Sequence, residues 1–284
     1  MAISQREIVQ QSYNRQARAY AAHKNLQTGN LNRLLDILFT QSQVPLTGAL
    51  LDIGCGDGVL LDILMSRFPT LPYHYQGIDF SSEMIRIAHE SHGTTEFFHI
   101  CDAENLPFED KSQDLIISNS MLHWLNFPEQ GLTPEVAIQE ASRVLCKNGK
   151  LAVSIAGSGT TTQFIKSYRQ IMSSLAANDR LLNKAFYRSD PLGSMNLHSV
   201  VNMLLSSGFV VDFAHLEYEP VTYESPSQFA EVVKAYGYDI FLDSVPEREK
   251  LEVWNLIVKE FENSLQAGAY VHDQYMIYAV ATRK

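Results

Sequence analysis

The chain reads as an α/β protein built on a doubly wound, mostly parallel seven-stranded sheet, with a helical lid over one sheet edge. Three observations predict this. Between Ala49 and Ile155, short apolar runs alternate with segments of helical apolar spacing, an order that calls for parallel strands joined by crossover helices. The first run, Ala49 to Ile53, passes into the loop Gly54-Cys55-Gly56-Asp57-Gly58. Its alternate glycines permit positive φ and let a ligand lie against bare backbone. Finally, 284 residues with 45% hydrophobic content suffice for one large α/β domain with a full core.

The elements follow in order. Arg6 to Ala22 and Gly29 to Phe39 read as helices ahead of the first strand, so 1–40 is expected to form N-terminal cap helices. Pro45 and Gly48 punctuate the approach to strand one, Ala49 to Ile53. A helix from Gly58 to Arg67 is ended by Pro69 and Pro72. Strand two, Tyr73 to Ile78, closes on Asp79, and Ser81 is placed to cap the next helix. Strand three is Glu96 to Ile100 and strand four is Asp114 to Ser118. Pro134 opens a helix to Leu145 with Asn148-Gly149 as its stop, and strand five is Lys150 to Ile155. Helical segments then run to about Ser206, and a sixth strand from Gly208-Phe209 ends at Leu216. Helices near Pro226 to Gly237 and Pro246 to Gln266 precede the last strand, Tyr270 to Thr282. The stretches 157–200 and 220–268 exceed simple connectors and read as helical lid insertions in a single domain spanning 1–284.

Composition bounds the partners. There are 22 basic and 32 acidic residues, a net charge of −10, and no basic run, which argues against a nucleic-acid surface. No apolar run approaches membrane-spanning length, and Met1 to Gln27 is polar without an apolar core. A cytoplasmic protein without a signal peptide is the expectation. Cys55, Cys101 and Cys146 are far apart and make no CxxC, so small core residues are expected and neither a disulfide framework nor a metal site. Nothing in the sequence fixes the oligomeric state.

The glycine loop selects a class of ligand. It lacks the Lys and Ser/Thr of a phosphate loop, and its spacing is G-x-G-x-G, not the G-x-G-x-x-G of dinucleotide sites. Asp52 and Asp57 crowd it with negative charge that would repel a pyrophosphate. A ligand with an ammonium group and no phosphate suits it, and S-adenosyl-L-methionine is such a ligand. The loop resembles motif I of the class I S-adenosylmethionine-dependent methyltransferases, and several further motifs in order extend the resemblance over roughly 49–155. It implies a Rossmann-like methyltransferase fold and a cofactor cradle of Asp52, Gly54, Cys55, Gly56 and Asp57. Asp79, 25 residues after Gly54, can accept hydrogen bonds from both ribose hydroxyls, while Phe80 packs on adenine or in the core. Met84 is grouped with them. Asp102, in Asp102-Ala103-Glu104-Asn105-Leu106-Pro107-Phe108, resembles the family's acidic motif before a Leu-Pro-Phe turn. Its carboxylate can accept from the adenine amino group, with a backbone N–H about Ala103 serving a ring nitrogen. Ser118-Asn119-Ser120, ending strand four, can line the methionine part of the cofactor.

The acceptor side rests on Met121-Leu122-His123-Trp124 and on Tyr20-Ala21-Ala22-His23-Lys24-Asn25-Leu26-Gln27. An indole N–H and a carboxamide can hold a carboxylate without a counter-charge. The pairing resembles small-molecule carboxyl methyltransferases. Juvenile hormone acid methyltransferases have an early Leu-Gln and a Leu-His-Trp after strand four. Malonyl-acyl-carrier-protein methyltransferases have a similar Tyr-x-x-His-x-x-Leu-Gln stretch and a Gln-Trp, and trans-aconitate methyltransferases have a Gln-Trp and a comparable lid. The resemblance implies that Gln27 and Trp124 grip the acceptor carboxylate, with His123 beside them. His123 departs from the Gln of two of these families, which leaves the exact family open. Tyr13 and Tyr20 share one helix face and can pack or line the pocket.

The chemistry needs no general base, because the sulfonium methyl is already activated and a carboxylate is ionised at neutral pH. The expectation is O-methylation of a small or carrier-bound acid. The alternatives are methylation of carbon, nitrogen or hydroxyl on another metabolite, and a non-catalytic cofactor-binding protein. The Asn/Asp-Pro-Pro-aromatic tetrapeptide of nucleic-acid amino methylation is absent after strand four.

Overall fold

Seven strands form one sheet: β1 (Gly48–Ile53), β2 (Tyr73–Asp79), β3 (Phe98–Ile100), β4 (Gln113–Asn119), β5 (Leu145–Ala156), β6 (Phe209–Tyr223) and β7 (Tyr270–Arg283). Their order is β3-β2-β1-β4-β5-β7-β6, and β7 alone runs against its neighbours β5 and β6. The computed structural model describes residues 4–42, 44, 47–127, 133–160, 162–177, 192–242, 245–263 and 270–284. Pro45, residues 178–191 of the first predicted insertion, and 264–266 at the end of the last predicted helix lie outside the described residues.

Nine α-helices are described among these residues. Those flanking the sheet are α2 (Asn25–Gln41), α3 (Val59–Arg67) and α4 (Ser82–His92) on one face, with α5 (Glu135–Val144) and α7 (Leu197–Ser206) on the other. Strand alternation divides the core accordingly. Leu50, Leu115 and Ile117 face Leu31, Leu34, Leu35, Leu61 and Leu64, while Leu51, Ile116 and Val153 face Ile138, Ala141 and Val200. A third apolar cluster lies past the carboxyl ends of β4 and β5. It joins α1 (Gln5–His23), α6 (Thr162–Ala177), α8 (Pro226–Ala235), the 3-10 turn Tyr238–Leu242 and α9 (Glu247–Asn263) around Trp124 and Phe127.

Several expectations are corrected. Helix α2 is more than a cap: its Leu31, Leu34, Leu35 and Leu38 are buried against the sheet, while α1 sits above the strand ends. Residues 197–200 open α7, which packs on the sheet face, and 220–223 belong to β6, whose pairing with β7 continues to Tyr223. The predicted insertions are therefore shorter at those ends. Asn148-Gly149 does not stop α5, which ends at Val144. It forms a bulge in β5, where the register against β4 jumps from Gln113–Leu145 to Leu115–Lys150 and Asn148 takes φ 66°. Cys55 is buried as expected, but Cys101 and Cys146 are half-buried. Ser81 caps α4 as predicted, its hydroxyl accepting from the Met84 N–H.

Candidate active site

In this sheet the connections run outward from β1 through β2 to β3, then return to β4 on the other side. The loops after β1 and β4 therefore part, and a crevice opens where they diverge. It holds a cleft enclosing about 750 Å³ of free space including its mouth. Gly54 and Gly56 form the floor, Asp79, Phe80 and Met84 one wall, and Cys101, Asp102 and Ala103 the next. Asn119, Ser120 and Met121 close the side toward β4. Arg6, Tyr13 and Tyr20 of α1 cover it.

The loop geometry explains its glycines. Gly54 and Cys55 donate their N–H groups to the Ile78 carbonyl, which ties the bend to β2. Gly54 has φ +77°, and an added Cβ would sit 2.7 Å from Met121 Cβ. At Gly56, φ +55°, a Cβ would meet nothing nearer than Tyr20 Cε1 at 3.8 Å. This backbone is bare toward the cleft itself. Asp79 accepts from the Gly56 N–H at 3.0 Å and the Ser81 N–H at 2.8 Å. Burial nevertheless pushes its carboxyl up to about 6. A carboxylate has about four lone-pair positions, so capacity remains for hydroxyl groups in the cleft. Asp102 accepts from the Glu104 N–H at 2.9 Å and pairs with Arg6, which also pairs with Glu104.

Three predicted cradle residues do not line this cleft. The pleat of β1 sends Ile53 toward it and Asp52 the other way, where Asp52 accepts from the Tyr75 hydroxyl at 2.9 Å. Burial raises the Asp52 carboxyl to about 7. Cys55 packs in the core with Leu50 and Phe98. Asp57 turns to α1 and α2, pairing with Lys24 Nζ at 2.6 Å while its second oxygen stays buried without a partner. Lys24→Met strands that carboxylate in the interior and should cost about 3 kcal/mol of unfolding free energy. Urea unfolding checks this, and a loss below about 1 kcal/mol would show the pair to be incidental.

A second, inner cleft, with about 490 Å³ of free space including its mouth, continues past Trp124. Gln27 and Asn30 reach it from α2, His123 and Trp124 from the 3-10 turn Leu122–Leu125, and His272 and Gln274 from β7. Among the described residues lining it there is no Lys, Arg, Asp or Glu. Gln27 Oε1, His123 Nδ1, Gln274 Oε1 and Ser120 Oγ are buried without hydrogen-bond partners. Burial lowers His123 to about 3 and His272 to about 4, so both imidazoles are neutral at pH 7. All three predicted acceptor residues, Gln27, His123 and Trp124, thus meet in one chamber. Asn119 ties it to the cofactor side, donating to the Gln27 carbonyl at 3.1 Å and accepting from Ser154. Sequence reading missed Asn30, Tyr236, His272 and Gln274. A signal existed in β7, where His272 and Gln274 are polar positions on the face that continues as Met276 and Tyr278.

Comparison with known proteins decides the family. A profile for a methyltransferase domain matches residues 51–153. A malonyl-[acyl-carrier protein] O-methyltransferase from Geobacter sulfurreducens is 30% identical over 221 residues, 76% of each chain. The chain belongs to the class I S-adenosylmethionine-dependent methyltransferases. A second such relative, from Alcanivorax borkumensis, is 26% identical over 91% of this methyltransferase and 80% of that protein. The fold is shared with the phosphoethanolamine N-methyltransferase 2 of Haemonchus contortus, solved with S-adenosylhomocysteine. There the TM-score is 0.57 at 18% identity, covering 99% of this chain and 60% of that one.

S-adenosylmethionine is the cofactor of this methyltransferase, and the residues present fit it. The bare Gly56 backbone leaves room that no protein side chain fills, and Asp79 keeps acceptor capacity at the tip of β2. Asp79, Asp102, Ala103, Phe80 and Met84 could hold the adenosine, and Gly54, Asn119 and Ser120 the amino-acid part. When bound, the cofactor supplies an electrophilic methyl on a sulfonium. Among the described residues, no helix is long and apolar enough to cross a membrane.

Proposed function

We propose that this methyltransferase transfers the methyl group to a carboxylate oxygen of a small or carrier-bound acid. The observation that carries the reading is the inner chamber: uncharged along its described lining and furnished with polar atoms that lack partners. Each of those groups can turn to donate. A half-turn of the Gln27 amide presents its NH2, and a neutral imidazole can carry its proton on Nδ1. Neutral donors orient a carboxylate and leave its oxygen nucleophilic, whereas a guanidinium or ammonium clamp would withdraw charge from the attacking atom. An amine acceptor would need a group to take its proton, and the two imidazoles facing the chamber are held far below their ordinary basicity. Holding acceptor and methyl in line is then the main task, worth on the order of 7–11 kcal/mol in the best intramolecular cases. The names of the malonyl-[acyl-carrier protein] relatives support the same class of acceptor, with a carrier-bound acid as a candidate.

The product distinguishes this from carbon, nitrogen or hydroxyl transfer. With labelled cofactor and a panel of acids and amines, mild alkali should release the label as methanol, as from a methyl ester. Alkali-stable product would overturn the assignment. Gln27→Leu should lower kcat/KM about 100-fold, equivalent to about 2.7 kcal/mol, with cofactor affinity unchanged.

A further inference from the structure

The two clefts meet at four residues common to both linings: Tyr13, Tyr20, Ser120 and Trp124. These four residues form the boundary between the cofactor side and the acceptor side. Three of the four are aromatic, and their rings stand at steep angles. Tyr13 lies 6.1 Å from Tyr20 at 64° and 5.8 Å from Trp124 at 82°, centroid to centroid. Gly237, with φ +90°, backs this corner closely. A Cβ there would come within 3.3 Å of Tyr13 and 3.6 Å of Trp124. Burial and the nearby carboxylates, Asp79 for both and Asp57 for Tyr20, hold both phenols well above their ordinary range, so the rings stay neutral. Among the described residues lining either cleft, Arg6 is the one permanent cation, and it is engaged with Asp102 and Glu104.

We propose that Tyr13, Tyr20 and Trp124 form an aromatic cage for the cofactor's positive centre, so that the site discriminates the charged methyl donor from its neutral spent form. Aromatic faces attract a desolvated cation through the ring quadrupole and offer nothing comparable to a thioether. The cage therefore favours binding of the donor and loses its hold once the charge is gone, which favours release of S-adenosylhomocysteine. Leucines would fill the same space without this preference. The inference depends on the cofactor and not on the identity of the acceptor.

Calorimetric titration of the full chain with three probes tests it. These are S-adenosylmethionine, an analogue with a protonated amine in place of the methylsulfonium, and S-adenosylhomocysteine. Tyr13→Leu and Tyr20→Leu should each weaken the two cationic probes about 5- to 30-fold while leaving S-adenosylhomocysteine within about twofold. Tyr13→Phe and Tyr20→Phe, which keep the ring, should bind all three nearly as wild type does. Should the leucine variants fold poorly, fluorinated phenylalanines at position 20 serve. Affinity for the cationic probes should fall stepwise with fluorine number and stay level for the thioether. Equal losses for charged and neutral probes, or a level fluorine series, would overturn the cage.

Discussion

Asp79→Asn should weaken S-adenosylmethionine binding about 100-fold and abolish the pH dependence of that binding between pH 7 and pH 5. The first effect follows from placement. Asp79 ends β2 beside the bare Gly56 backbone and is oriented by two N–H groups, from Gly56 and Ser81. Hydrogen bonds to a charged acceptor contribute about 1.5–3 kcal/mol each, and losing the charge at a two-hydroxyl contact corresponds to roughly two decades in Kd. The second follows from its surroundings. Burial raises the carboxyl to about 6, so as pH falls through 6 the free enzyme takes up a proton that the bound state must not hold. Affinity is therefore full above pH 7 and should drop about tenfold by pH 5. Asparagine does not titrate, so its profile should be level. Asp52, raised to about 7, titrates in the same range but lies outside the cleft against Tyr75. A wild-type Kd that is constant from pH 7 to 5 would remove Asp79 from the contact.

Where local pattern and global topology agree, the sequence was legible. The run from Ala49 to Gly58 is a buried strand ending in glycines, and nothing else satisfies both that pleat and that bend. Asp79, Phe80, Asp102 and Asn119 line the cleft for the same reason: each sits at the carboxyl tip of a parallel strand, where loops converge on one crevice. The departures from the expected lining share a different cause. Asp52 and Cys55 follow the motif, but the side to which a side chain points depends on strand parity against the sheet faces, which the motif does not encode. Asp57 is claimed by Lys24, a residue 33 positions earlier. Helix α2 looked like a cap because it precedes the sheet, although Leu31, Leu34, Leu35 and Leu38 already have the 3- and 4-residue spacing of a helix that buries one face. The inner chamber was half legible. Gln27, His123 and Trp124 stood out by type, but Asn30, His272 and Gln274 come together only when antiparallel β7 brings its N-terminal end beside α2. No spacing rule connects positions about 240 residues apart.

Gly54→Ala should be a severely damaging single-methyl change, and Gly29→Ala a nearly silent one. At Gly54 two penalties coincide. A left-handed conformation at φ +77° costs alanine about 1–2 kcal/mol, and the new Cβ would lie 2.6 Å from Met121 Cγ and 2.7 Å from Met121 Cβ. Those atoms are the root of a side chain, not its free end, so relief requires the backbone at Met121 to shift. Met121 opens the turn that carries His123 and Trp124, and its carbonyl accepts from the Trp124 N–H at 2.9 Å. The displacement therefore reaches both clefts. We expect a stability loss of about 2–4 kcal/mol, a cofactor Kd at least 100-fold weaker, and turnover reduced further still. Gly29 lies inside α2 with nothing within 4 Å of an added Cβ, so alanine there should stabilise by about 0.5–1 kcal/mol and preserve activity. Paired denaturation and binding measurements on the two variants separate the effect of a bare-backbone ligand floor from the general cost of filling glycines. Similar small changes at both positions would mean that the bend after β1 yields easily, and the cleft would lose its rigid floor.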